Sequence, residues 1–286
     1  MNTMIIDTHC HIQFRGQDTD RADIIKRSRD RGIIFNLVGT QKDTSKQGVL
    51  LAMENDDMYA SLGTHPNHLF PTYIDEEESK FMSREEDFDE VYYEEIFNLA
   101  PEKVIGVGEC GLDLFHLPPD VSVETVLERQ QMVFKKHVAF AIKHDLPLVI
   151  HVRDAHNHMI KLLKEIEIPA RRGTIHCYTG NWADAEEYLK LGFYLGFTGV
   201  ITFPIKKTNP TQQESLWEVI QKMPEDRIVV ETDAPYLAPQ KFRGERCEPW
   251  MTEECVKKIA ELRGKSPEEM EEIIFANSKR LFYKIK

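Results

Sequence analysis

Met4-Ile5-Ile6-Asp7-Thr8-His9-Cys10-His11 is the stretch around which the chain is organised. An apolar run suited to a buried strand ends abruptly in Asp-Thr-His-Cys-His. Side chains at i and i+2 of a strand share a face, so His9 and His11 leave its C-terminal end side by side. Two imidazoles held that way are a start on a divalent-metal site. Taken alone, His-x-His reads equally well as a pair of surface or capping histidines. The remaining strand ends decide between the two.

Working outward, short apolar runs alternate with helical patterns along the whole chain. After the first strand comes a charged helix, Asp20 to Arg31, stopped by Gly32. Further strands are expected at Ile33–Val38, Met58–Leu62, Val104–Gly108, Pro147–Ile150, Gly173–Ile175, Gly192–Phe197 and Arg227–Val230. Helices are expected around Ser45–Glu54, Ser122–His144, through Leu163, at Gln212–Lys222, Thr252–Arg263 and Ser266–Phe282. Strict alternation of this kind is the signature of a parallel sheet. Eight such units without a linker or repeat predict one α/β domain over residues 1–286, a (β/α)8 TIM barrel. An open doubly wound sheet is the structural alternative. Neither a Gly-x-Gly-x-x-Gly dinucleotide motif nor a Walker A sequence is present.

An acidic insertion at about 70–100 interrupts the alternation. Asp75-Glu76-Glu77-Glu78, Glu85-Glu86-Asp87, Asp89-Glu90 and Glu94-Glu95 face only Lys80 and Arg84 in the same stretch. It reads as a solvated segment, part loop and part amphipathic helix near Phe88–Leu99. On the helix Ser122–His144, Val126, Val133, Val138 and Ile142 read as apolar positions, and His137 and His144 as surface or packing residues.

Composition narrows the class. With 286 residues, 41% of them hydrophobic, the chain can bury a sizeable core. No run approaches the ~18–20 apolar residues of a membrane span, and no signal-like segment precedes the first strand. Five scattered cysteines without Cys-x-x-Cys spacing read as reduced thiols of a cytoplasmic protein. A net charge of −12 argues against non-specific coating of nucleic acid, but not against a nuclease whose cations and local basic loops meet phosphates.

In a barrel the active site lies at the C-terminal ends of the strands. Strand one carries His9 and His11 there, strand three His65, strand four Glu109, strand five His151, strand six His176 and strand eight Asp233. Four imidazoles from strands one, five and six plus two carboxylates suffice for two metals. Two cations about 3.5–4 Å apart lower the pKa of a shared water and stabilise both oxygens of a phosphoryl displacement. Glu109 is expected to bridge them. Asp233 is expected to ligate one and take the proton of the attacking water. A helix-capping role is the plainer alternative for Asp233.

These residues resemble the TatD-family metal-dependent deoxyribonucleases of the amidohydrolase superfamily. The resemblance rests on Asp7-Thr8-His9-Cys10-His11, Gly63-Thr64-His65-Pro66, Gly108-Glu109-Cys110-Gly111-Leu112-Asp113, Ile150-His151-Val152-Arg153-Asp154, Ile175-His176-Cys177-Tyr178 and Glu231-Thr232-Asp233-Ala234-Pro235-Tyr236-Leu237. It implies His9, His11, Glu109, His151, His176 and Asp233 as ligands, and His65 as a substrate-side or acid–base residue. It also implies Mg²⁺-dependent hydrolysis of DNA, often 3′-to-5′ on single strands, with Zn²⁺ or Mn²⁺ as alternative ions. Cys247 stands where the family usually has Asn, and the acidic insertion is longer than usual. Both departures bear on substrate preference.

Basic residues follow several strands: Arg153, Lys206, Lys207, Lys241, Arg243 and Arg246. They read either as a cationic rim for phosphates or as ordinary solvated charge. Tyr178, Phe203 and Tyr236 read either as base-stacking residues or as packing. The expected partner is a DNA strand, met by a monomer or weak oligomer. Two rival functions stand beside the nuclease: hydrolysis of another ester or amide, such as an aminoacyl-tRNA ester, and a non-catalytic binding scaffold.

Overall fold

The computed structural model describes residues 4–75 and 80–286. Glu76, Glu77 and Glu78 of the acidic insertion lie outside the described residues. Eight strands are arranged along one sheet in their sequence order: β1 (Ile5–Cys10), β2 (Ile33–Val38), β3 (Met58–Leu62), β4 (Val104–Asp113), β5 (Leu148–Arg153), β6 (Gly173–Ile175), β7 (Tyr194–Phe197) and β8 (Ile228–Val230). The helices are α1 (Arg21–Arg29), α2 (Lys42–Met53), α3 (Glu90–Phe97), α4 (Val123–Lys143), α5 (His156–Glu165), α6 (Trp182–Lys190), α7 (Pro210–Lys222), α8 (Thr252–Arg263) and α9 (Pro267–Leu281). This is a (β/α)8 TIM-barrel fold, as the alternation predicts.

The chain divides into two compact units, one formed by Met1–Leu37 with Ile175–Lys286 and the other by Val38–Thr174. In the first, β1 pairs parallel with β2 from Ile5↔Ile33 to Asp7↔Phe35, and the register then shifts before Cys10↔Leu37. The first and last strands are joined by two bonds: His11 N–H donates to Ala234 O at 2.7 Å and Asp233 N–H donates to His9 O at 2.8 Å.

In the second unit, β4 and β5 pair from Val107↔Leu148, shift register, and continue from Cys110↔Ile150 to Asp113↔Arg153. Both strands therefore run past the ends expected from their apolar residues. The extension depends on Gly111, where a Cβ would lie 1.9 Å from the His151 carbonyl oxygen. Helix α4 begins at Ser122, whose side chain accepts the Thr125 N–H at 3.2 Å. It buries Val126, Val133, Phe134, His137 and Val138, whereas Ile142 is exposed.

The acidic insertion contains the amphipathic helix expected in it, α3, which buries Tyr93, Ile96 and Phe97, and its acids stay at the surface but in ion pairs. Its hairpin, Tyr73–Asp75 with Lys80–Met82, is continued by bonds of Thr72 N–H to Ser83 Oγ and of Ser83 N–H to Thr72 O, both 2.8 Å. Its acids meet cations of α2 and α4: Lys42–Asp89, Lys136–Asp87, Lys143–Glu94 and His144–Glu94. These partners lie far away in sequence, which is why the stretch reads as uncompensated charge.

α6 has no counterpart in the sequence reading. Only Ala185 and Tyr188 of it are buried, a stripe too narrow to stand out, and its start is marked by the Asn181 side chain accepting Asp184 N–H at 3.1 Å.

Candidate active site

In the first unit the register shift between Asp7 and Cys10 re-aims the end of β1. Beneath it, the buried Asp7 carboxylate accepts the Thr232 N–H at 3.0 Å, the Thr232 hydroxyl at 2.5 Å and the His9 N–H at 3.2 Å. Burial pushes the Asp7 carboxyl well up, against the pull of those bonds. His9 and His11 then present their Nε2 atoms 3.1 Å apart. Asp233 Oδ1 lies 3.1 Å from His11 Nε2 and 3.6 Å from His9 Nε2.

The His176 ring stacks on His9 with centroids 4.0 Å apart. Its Nδ1 lies 3.4 Å from Glu231 Oε1. Asp233 adopts a left-handed φ of 60°, a conformation Asp tolerates better than most residues. Burial opposes its charge, but His11, His9 and His176 outweigh that and hold its carboxyl below the usual range. His9, His176 and Glu231 offer donor atoms within 4.8 Å of one another.

In the second unit Glu109 Oε1 lies 3.2 Å from His65 Nε2 and 3.1 Å from His151 Nδ1. The other nitrogen of His151, Nε2, lies 3.1 Å from Asp113 Oδ2. Burial alone would lower the His151 pKa, yet hydrogen bonds to Asp113 and Glu109 raise it. Asp113 is also buried, and His116 and His151 hold its carboxyl well below the usual range against that burial. His65 Nδ1 accepts the Asn67 N–H at 3.1 Å, so its neutral tautomer carries the proton on Nε2, toward Glu109. Burial lowers the His65 pKa and favours that neutral form, with Glu109 opposing. His65, Glu109 and His151 form a further group with donor atoms within 4.8 Å.

His9, His11, His176 and Asp233 are thus brought together in one unit, and His65, Glu109 and His151 in the other. Sequence reasoning missed Glu231 and Asp113, both quoted within motifs yet assigned nothing. Glu231 lies two residues before Asp233 and Asp113 four residues after Glu109, each in the same motif as an assigned member, and that proximity was the available signal. The donor chemistry of both clusters, imidazole with carboxylate, fits a divalent ion such as Zn²⁺ or Mn²⁺, whereas Mg²⁺ favours oxygen ligands. Among the described residues, the groups able to hold an ion contain no cysteine, and all five thiols are free.

The expected rim is mixed. Arg153 closes β5 and stacks on Phe115. Lys241 Nζ lies 3.2 Å from Glu254 Oε1, and Arg243 lies over Phe203. Tyr178 is 2% exposed and donates its hydroxyl to Asn181 O at 2.6 Å, so its ring packs the interior and offers no face to a base.

The class is that of metal-dependent hydrolases built on a (β/α)8 fold. Within it, the chain belongs to the TatD-related DNase family, whose model matches residues 6–283. It is similar to the uncharacterized metal-dependent hydrolase YabD of Bacillus subtilis, 35% identical over 280 residues, 98% of this chain and 99% of that one. It is also similar to the 3′-5′ ssDNA/RNA exonuclease TatD of Cronobacter sakazakii, 30% identical over 276 residues and 93% of each chain. Its structure matches that of YjjV, a TatD homologue from Escherichia coli K12, with a TM-score of 0.81 and 28% identity over 99% of each chain. No helix among the described residues is long and apolar enough to cross a membrane.

Proposed function

We propose that this metal-dependent hydrolase cleaves DNA phosphodiester bonds, releasing nucleotides from the 3′ ends of single strands. The observation that carries the reading is the pair of His–carboxylate clusters, one in each unit. The nucleic-acid substrate is supported by the relative named as a 3′-5′ ssDNA/RNA exonuclease.

His9, His11, His176 and Asp233, with Glu231 beside His176, would hold one divalent ion, and Glu109 with His151 a second. When bound, such ions lower the pKa of water and stabilise charge on phosphoryl oxygens. Asp233, ionised at neutral pH, accepts the proton of the attacking water. His65 donates from Nε2 to a substrate oxygen. Asp113 fixes the His151 ring so that Nδ1 faces the Glu109 side, the usual carboxylate–histidine arrangement behind a ligand. Arg153, Lys241 and Arg243 contact phosphates.

The test is nucleotide release from 3′- and 5′-labelled single-stranded DNA with Mg²⁺, Mn²⁺, Zn²⁺ or chelator, using wild type, Glu109→Ala and Asp233→Asn. Metal-dependent loss of the 3′ nucleotide first, abolished in both variants, is expected. Inactivity on DNA with every ion, alongside hydrolysis of a charged tRNA, would transfer the site to ester hydrolysis.

A further inference from the structure

Phe115 is a large aromatic residue 55% exposed on the segment that follows β4. A single exposed aromatic is ordinary on a protein surface. This one is held in place. Asp113 Oδ1 accepts both the Phe115 N–H at 2.8 Å and the His116 N–H at 2.9 Å. Leu114 N–H donates to Arg153 O at 3.0 Å, continuing the β4–β5 ladder to the residue before the ring.

The other carboxylate oxygen of Asp113 faces His151 Nε2 at 3.1 Å and His116 Nδ1 at 3.4 Å. One buried carboxylate thus sets both the His151 imidazole and the backbone carrying the ring. The Arg153 guanidinium covers one face of Phe115 at 3.8 Å from the centroid, and His116 meets it edge-on at 4.8 Å.

We propose that the uncovered face of Phe115, backed by Arg153, is a stacking platform for one nucleobase of the substrate strand. This rests on the single-strand nuclease reading and adds a base-binding residue to it. Every base has a π-face, so a rigid aromatic beside a cation binds single strands without selecting sequence. The guanidinium holds the ring from behind and supplies positive charge for the adjoining phosphate. Because the platform and His151 share Asp113, a stacked base fixes the distance of its backbone from the Glu109–His151 cluster.

The experiment uses metal-loaded protein and 3′-labelled strands, intact or carrying one abasic residue at each of the last four positions in turn. Wild type, Phe115→Ala, Phe115→Trp and Arg153→Gln are compared by KM and kcat, with thermal unfolding as a check on the fold. Phe115→Ala is expected to raise KM on the intact strand by about ten-fold, in line with loss of one stacked base. At one abasic position wild type should show the same loss, and Phe115→Ala should add nothing to it. Phe115→Trp should restore the wild-type KM, and Arg153→Gln should raise KM on intact and abasic strands alike. Cleavage by Phe115→Ala with unchanged KM, or with an undiminished abasic penalty at every position, overturns the platform while leaving the nuclease intact. Failure of the wild type to cleave any strand overturns both.

Discussion

His137 should make stability depend on acidity through a residue that belongs to neither ligand cluster. Its ring is buried on α4, where Nε2 accepts the Thr64 N–H at 2.9 Å and Nδ1–H donates to Val133 O at 2.9 Å. Accepting at Nε2 while donating at Nδ1 requires the neutral Nδ1–H tautomer. Burial pushes its pKa down to about 4, the Val133 carbonyl opposing. In the unfolded chain the imidazole titrates near about 6.5. The unfolded state therefore takes up the proton first as pH falls, and the contribution of neutral His137 is lost between about pH 6.5 and pH 4.

Linkage between those two values gives a loss of about 2 kcal/mol on going from about pH 7.5 to about pH 5. Glutamine at 137 can accept from Thr64 and donate to Val133 without titrating. His68, pushed down by burial to about 3, has the same sign, but it is present in both proteins and cancels in their difference. Urea unfolding of chelated wild type and His137→Gln at the two pH values measures the effect. The variant should lose about 2 kcal/mol less than wild type on acidification. Equal losses in the two proteins would refute the assignment of a neutral, buried His137.

Other perturbations have equally definite outcomes. Gly111→Ala places a Cβ on the His151 carbonyl at a φ of 148°, so thermal unfolding should show a destabilisation of about 3 kcal/mol or more, and a normal melting temperature would contradict the close approach. Asp113→Asn weakens the group that orients His151 and should lower metal affinity by about 10–100-fold in a competitive chelator titration, whereas unchanged affinity would remove Asp113 from the site. Glu231→Gln should weaken the ion held with His9 and His176, read as reduced metal-to-protein stoichiometry at limiting ion, and full stoichiometry would count against Glu231. Lys143→Ala breaks pairs to Glu90 and Glu94 on the surface and should leave the urea midpoint close to that of wild type. A clear drop in that midpoint would mean that the insertion is clamped more firmly than exposed pairs allow.

Much of the fold was legible because alternation of apolar runs and amphipathic stretches is a local signal, and β2, β3, β6 and α8 fall on the residues that signal marks. The lengths of β4 and β5 were not legible. Their later halves interleave polar and apolar residues, and they persist because Gly111 allows a backbone approach that no propensity encodes. At the site, histidines at strand ends announce themselves, since an imidazole at the close of an apolar run needs a reason. The carboxylates behind them do not. Asp113 reads as a turn residue until its four short contacts are seen, and Glu231 as one acid of an ordinary Glu-Thr-Asp. Tyr93 and Phe88 sit in an acidic stretch whose sequence does not say what their apolar face packs against. Yet Tyr93 donates its hydroxyl to Gly63 O at 2.8 Å and stacks on Phe88, which packs on His137. Long-range pairing of that sort leaves no local pattern.

The bonds joining β1 to Asp233 and Ala234 have a bearing on how the protein matures. His11 and Asp233 are separated by 222 positions, yet their side chains meet at 3.1 Å. A ribosome-bound chain that has not yet emitted β8 holds His9 and His11 without the carboxylate that completes their set. An ion held by the completed set would tie the two ends of the chain together and stabilise the folded state by mass action.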